Sequence, residues 1–194
     1  EIKRRWWDML QLPMSNEEQQ WLLDLARKVI SAKFKEQKFN SQDIPNRFKE
    51  NRGIFVTLSK NGELRGCIGY IQPIKSVYEA VKENALNAAF SDPRFKPLKE
   101  EELKQIKIEI SILTVPERIE FKEPLELIKK LRAKIDGVIV EKNGHQATFL
   151  PQVWEEISDP YDFLRQLSWK AGLSIDAWKT ANISIYQVEK IEEE

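Results

Sequence analysis

One short stretch, Asn61-Gly-Glu-Leu-Arg-Gly-Cys-Ile-Gly-Tyr70, concentrates side chains able to do chemistry. It holds the protein's only cysteine, Cys67, between Gly66 and Gly69, with Arg65 two residues before it. A thiolate is a nucleophile, and a nearby guanidinium holds a thiol below its free pKa of about 8.5. In a regular strand the two-residue period puts Arg65 and Cys67 on one face. Each glycine weakens a strand by roughly 0.5–1 kcal/mol relative to alanine. Two of them therefore mark a place where another group approaches the backbone. Ser91-Asp-Pro-Arg-Phe95 is the second polar group. Asp92 before Pro93 suits a turn, and Arg94 can grip a carboxylate or phosphate through two parallel N–H groups. The plainer expectation is that Asp92 caps the turn and pairs with Arg94.

Two functions of different classes fit these residues. In a binding module, Gly66 and Gly69 admit a partner's backbone or a nucleotide, Arg65 reads an acidic group, and Cys67 is a small packed residue. In a thiol-dependent enzyme, Cys67 is the nucleophile and Arg65 its anion anchor. Glycine N–H groups then stabilise developing negative charge, and Asp92 and Arg94 approach a groove between two halves of the chain. Such a nucleophile needs a base. His145, the single histidine, follows Asn143-Gly144 and reads as an exposed hairpin tip. Asp92 or Glu109 would have to serve instead, with Glu109 and Lys107 on the polar face of their strand. The missing base favours the binding module, and the enzyme is the alternative.

Composition narrows the class. The 194 residues carry 31 Lys plus Arg and 31 Asp plus Glu. Zero net charge argues against a bulk electrostatic grip on DNA or an anionic membrane, while leaving room for a local basic patch. One cysteine makes no internal disulfide, and one cysteine with one histidine is a poor inventory for a metal, so neither metal nor cofactor is expected. No apolar run approaches the roughly 20 residues of a membrane span. The opening EIKRRWWDML lacks the long apolar core of a secretory signal. A cytoplasmic protein is the expectation.

The elements that must position these residues follow from periodicity. Ser15 with Glu17 and Glu18 opens an amphipathic helix through Trp21, Leu22, Leu25, Val29 and Ile30. Two apolar runs flank Asn61-Gly62, a dipeptide suited to a tight hairpin, and Pro73 stops the second run. A helix with Val77, Ala80, Val81, Ala85 and Leu86 on one stripe follows. Ile106, Ile108, Ile110 and Ile112 alternate with polar residues as a strand. The same order recurs: a run from Gly137, an Asn143-Gly144 turn, a second run, a helix ended by Gly172, and an alternating strand through ANISIYQVEKI. The chain reads as a duplicated hairpin–helix–strand unit, about 53–115 and about 137–189, in an α+β fold of antiparallel sheets flanked by helices with two unequal subdomains. Residues 1–14 read as an N-terminal extension, 15–190 as one domain and 191–194 as an acidic tail. Trp154, Trp169 and Trp178 are expected in the core. Trp6 and Trp7 are expected to be ordered by contact with the body or with a neighbouring chain.

The stretches LRGCIGYIQP, AFSDPRFKPL, ATFLPQVWEE and FLRQLSWKAGL followed by DAW resemble the AMMECR family, across about Ser15 to Lys190. The resemblance implies an α+β fold with two unequal subdomains. It makes Arg65, Gly66, Cys67, Ile68 and Gly69 the match to the family's hallmark motif, and it carries no established activity. Through association of bacterial and archaeal members with Memo-family and radical-SAM proteins, it implies partners in the modification of a biomolecule, RNA among the candidates. Many members carry a cysteine where this chain has Ser168. That difference leaves Cys67 as the lone thiol and argues against two-cysteine redox chemistry.

Overall fold

The computed structural model describes residues 13–41 and 43–194, so Trp6 and Trp7 lie outside the described residues. The chain divides into two compact units. One comprises the described residues up to Leu113 together with Glu189–Glu194, and the other is Thr114–Val188.

The first unit begins with helix α1, Asn16–Phe34. Ser15 and Glu18 form a reciprocal cap: Glu18 N–H donates to Ser15 Oγ at 3.2 Å, and Ser15 N–H to Glu18 Oε2 at 2.9 Å. Two orphan donors of the first turn are thereby satisfied. The strands are β1, Gly53–Lys60, β2, Glu63–Tyr70, and β3, Ile106–Leu113, with helix α2, Val77–Phe90, between β2 and β3. Asn61 and Gly62 have φ of 54° and 81°. Two positive φ angles give the turn whose twist matches the strands it joins. Ile54, Val56 and Leu58 of β1 and Ile106, Ile108 and Ile110 of β3 bury one sheet face against α1 and α2. Thr57 and its register partners Cys67 and Glu109 project from the other face, as strand alternation requires.

The second unit holds β4, Glu117–Ile119, helix α3, Pro124–Lys130, β5, Gly137–Lys142, β6, His145–Phe149, helix α4, Pro160–Lys170, and β7, Asn182–Tyr186. Gly172 at φ 75° closes α4: its N–H bonds Trp169 O at 2.9 Å, and Leu173 N–H bonds Ser168 O at 3.0 Å. This pair of bonds satisfies carbonyls that a helix end leaves open. The core stacks Trp154 on Phe163 at 3.7 Å between ring centroids and includes Trp178. Trp169 departs from expectation: it lies outside the core, 72% exposed. Phe163, Leu164, Leu167 and Ser168 form the buried stripe of α4, and Trp169 falls off it.

The sheet orders are β2-β1-β3-β8 and β4-β7-β5-β6, where β8 is Val188–Glu192. In both units the hairpin's first strand is central, its second strand lies at the edge, and the strand after the helix joins the free side of the first, antiparallel. ANISIYQVEKI is not one strand. It breaks at Gln187, whose N–H bonds Thr114 Oγ1 and whose side chain donates to Asp136 Oδ1, both at 2.9 Å. β7 belongs to one sheet and β8 to the other. Within 191–194, Ile191 is buried, and Glu193 accepts two hydrogen bonds from Arg27 and one from Ile108 N–H. Among the described residues no helix is long and apolar enough to cross a membrane.

Candidate functional site

Strand β2 lies at the edge of its sheet, so alternate residues turn their backbone N–H and C=O away from β1. Cys67 is one of them. Its N–H donates to Asp92 Oδ2 at 2.9 Å, and its C=O accepts from Arg94 Nη2 at 3.1 Å. A carboxylate and a guanidinium thus take the places that the C=O and N–H of another strand would fill. The loop after α2 brings them there. Asp92 Oδ1 accepts Arg94 N–H at 3.1 Å and Arg94 Nε–H at 3.0 Å, while Oδ2 accepts Arg94 Nη2–H at 2.7 Å. The Asp92 side chain is 1% exposed and that of Arg94 54%. Arg94's hydrogen bond holds the Asp92 carboxyl well below the usual carboxylate range, against its burial, with the N–H groups of Cys67 and Arg94 adding to the effect. Arg94 is held above its ordinary value, chiefly by Asp92 and in smaller part by the Cys67 thiol.

The Cys67 side chain is half-buried, and Thr57 Oγ1 donates to its Sγ at 3.2 Å. Glu109 stands beside Thr57 in register, but its carboxylate is taken by Lys190 Nζ at 2.6 Å. The structure therefore gathers Cys67, Asp92 and Arg94 into one cluster and adds Thr57, which sequence reasoning missed. Ile68, next along β2, turns to the helix side and packs against the core.

Arg65 is not part of that cluster. Leu64, Arg65 and Gly66 stand against only Ser59 and Leu58, so Arg65 is the extra residue of a β-bulge. The two-residue alternation that would put Arg65 and Cys67 on one face does not run through it. Arg65 Nε and Nη2 grip Glu102 Oε1 and Oε2 at 3.0 and 2.9 Å, with side chains 15% and 13% exposed. Glu102 also accepts Lys60 Nζ at 3.1 Å and Lys99 N–H at 3.0 Å. These bonds, Arg65's first, hold its carboxyl at about 2. Arg65 thus already has its anion, and that anion is internal. Glu102 sits in a run of three glutamates that reads as solvated surface, so the sequence carries no signal for it.

The glycines also have internal reasons. A methyl group at Gly66 would stand 2.1 Å from the backbone oxygen of Ala88 in α2. One at Gly69 would stand 2.3 Å from Ile54 O and 2.5 Å from the Phe55 ring. The close approach expected from the sequence is real, but the approaching groups are the protein's own helix and neighbouring strand. The glycines therefore give no support to a ligand. His145 opens β6 and is exposed. Among the described residues no three His, Cys, Asp or Glu side chains converge where they could hold a metal ion.

The family model AMMECR1 matches residues 23–191. The chain belongs to the AMMECR1 family. It is similar to a protein of Methanothermobacter thermautotrophicus, 39% identical over 180 residues and covering 91% of this chain and 94% of that one. It is also similar to one of Methanopyrus kandleri, 42% identical over 178 residues, 89% of this chain and 86% of that one. Among solved structures it resembles an uncharacterized protein of Pyrococcus horikoshii, with 37% identity, a TM-score of 0.80, and 93% and 94% of the two chains covered. This AMMECR1 chain thus shares its α+β fold with a relative close enough in sequence for the fold to be expected.

Proposed function

We propose that this AMMECR1 chain is a cytoplasmic binding module whose receptor is the Arg94 guanidinium, aimed by Asp92 and lying beside Cys67. The carrying observation is that Arg94 is locked from one side and open on the other. Nε and Nη2 are spent on Asp92 and Cys67, whereas Nη1 has no partner among the described residues and the side chain is half in water. A guanidinium held in place loses little freedom when an acid group docks on it. The ligand is an anionic group, phosphate or carboxylate, carried by a small molecule, an RNA or a protein. Memo-family and radical-SAM proteins are the partners proposed for it. Titrating isotopically labelled protein with inorganic phosphate should shift the amide signals of Cys67 and Arg94 and saturate. Arg94→Gln should abolish the response. Phosphate leaving both signals in place would sink the reading.

A second reading, Cys67 as nucleophile, is favoured by one observation: the Thr57 hydroxyl donates to the half-buried sulfur at 3.2 Å, while the Arg94 guanidinium is held at the carbonyl of the same residue. Iodoacetamide should then alkylate the folded protein faster than the same chain in urea. A thiol that reacts only after unfolding would remove this reading and leave the first standing.

A further inference from the structure

We propose that the helical side of the first unit carries a separate site for a small amphipathic anion, an apolar body bearing one acid group. A cleft of about 600 Å³ opens between the last turns of α1 and the middle of α2. That volume lies within the range of about 300–1,000 Å³ typical of small-molecule sites. Its apolar floor is Val29, Phe39 and Leu86, and its rim carries Lys33, Lys38 and Lys82 against one carboxylate, Glu36. Three ammonium groups around one cleft stand out in a chain with no net charge.

Of the three rim lysines only Lys82 is paired with a carboxylate, that of Glu79. The Lys33 and Lys38 ammonium groups have no ion-pair or hydrogen-bond partner among the described residues. Lys82 is held in place: Nζ donates to Asn40 Oδ1 at 3.0 Å, pairs with Glu79 Oε1 at 3.5 Å and lies 4.6 Å from the centre of the Tyr78 ring. Lys82 thus fixes a positive charge on the α2 side of the cleft, and the open N–H donors are those of Lys33 and Lys38. The end of α1 would normally repel an anion through its unpaired carbonyls. Here the chain turns back through Glu36 at φ 55°, and Gln37 N–H bonds Ala32 O at 3.0 Å while Glu36 N–H bonds Lys33 O at 3.2 Å. Two of the offending carbonyls are thereby quenched. Glu36 adopts a left-handed backbone that is unfavourable for a residue with a side chain. The turn places Gln37–Asn40 along the mouth, so the strained residue is the one that shapes the cleft.

The probe is 1-anilinonaphthalene-8-sulfonate, an aromatic body with one acid group. Its fluorescence should rise saturably at one site per chain and fall when decanoate is added, but not when decanol is added. Lys33→Glu with Lys38→Glu should weaken it about tenfold or more, as expected for the loss of charge-assisted contacts. Both lysines are exposed, so the melting temperature should hold, and the milder Lys33→Gln with Lys38→Gln serves if it does not. Dye binding that is unsaturable, that ignores both pairs of substitutions, or that decanol displaces as well as decanoate would overturn the proposal.

Discussion

The β1–β2 and β5–β6 hairpins share a turn with two positive φ angles, an antiparallel ladder and an edge position for the second strand. Counted from the turn, Lys60 and Glu63 correspond to Lys142 and His145, and Thr57 and Cys67 to Ile139 and Thr148. The first hairpin then departs in three ways. It inserts Arg65 as a bulge, it has Gly66 where the second has Ala147, and it secures its edge with two opposite charges. At Cys67 both backbone groups are bound, by Asp92 and Arg94. At Thr148 a single ammonium, Lys170 Nζ, reaches the carbonyl at 2.9 Å. A plain hairpin suffices to build a sheet of this kind. The additions to the first are concentrated at its outer edge and its helix contact, and they leave one guanidinium facing solvent.

Three measurements sharpen or break that contrast. Asp92→Ala should cost the most, about 3 kcal/mol in urea unfolding, because it strands a buried N–H and unpins Arg94. Lys170→Ala, at the matching edge, should cost no more than about 1 kcal/mol. Equal losses would mean that the two edges are secured alike. Gly66→Ala should cost about 2 kcal/mol, since α2 must move to admit the methyl group. The reverse change, Ala147→Gly, should cost about 1 kcal/mol or less. A Gly66→Ala protein that melts with the parent would show that α2 has slack at Ala88. The smallest effect concerns pH. Glu102 titrates in the folded chain at about 2, below its ordinary 4.5. Its ion pair with the bulge residue therefore contributes fully above pH 4.5 and fades as pH falls through about 2. The stability gap between the parent and Glu102→Gln should close across that window. A gap that stays constant there would show that Arg65 does not depend on this carboxylate.

Local signals were the legible part of the fold. The Ser15 cap, the two Asn-Gly turns and the alternation from Ile106 to Ile112 each depend on a few neighbouring residues, and each stands where the sequence puts it. The Asp92–Arg94 pair was legible for the same reason, being two residues apart. What was hidden depends on distant partners. Nothing near Arg65 announces a bulge, because the bulge is defined by Leu58 and Ser59 across the ladder. Nothing near Gln187 announces a break, because what changes there is the sheet to which the strand belongs. The short β4 and α3 lack a periodic run long enough to read. Trp169 misled because an indole is ordinarily worth burying, and residue type outweighed its place on the helix.

The break at Gln187 bears on the order in which the chain acquires its structure. The second unit is continuous, Thr114–Val188, whereas the first is completed by β8, whose Glu193 closes onto Arg27. During synthesis the hairpin, both long helices and β3 leave the ribosome early, yet they wait some 75 residues for their fourth strand. At roughly 5–20 residues per second that delay lasts several seconds. Throughout it β3 presents an open flank, and non-local closures of this length are slow in any case. The inserted unit reaches its full sequence before the unit that surrounds it.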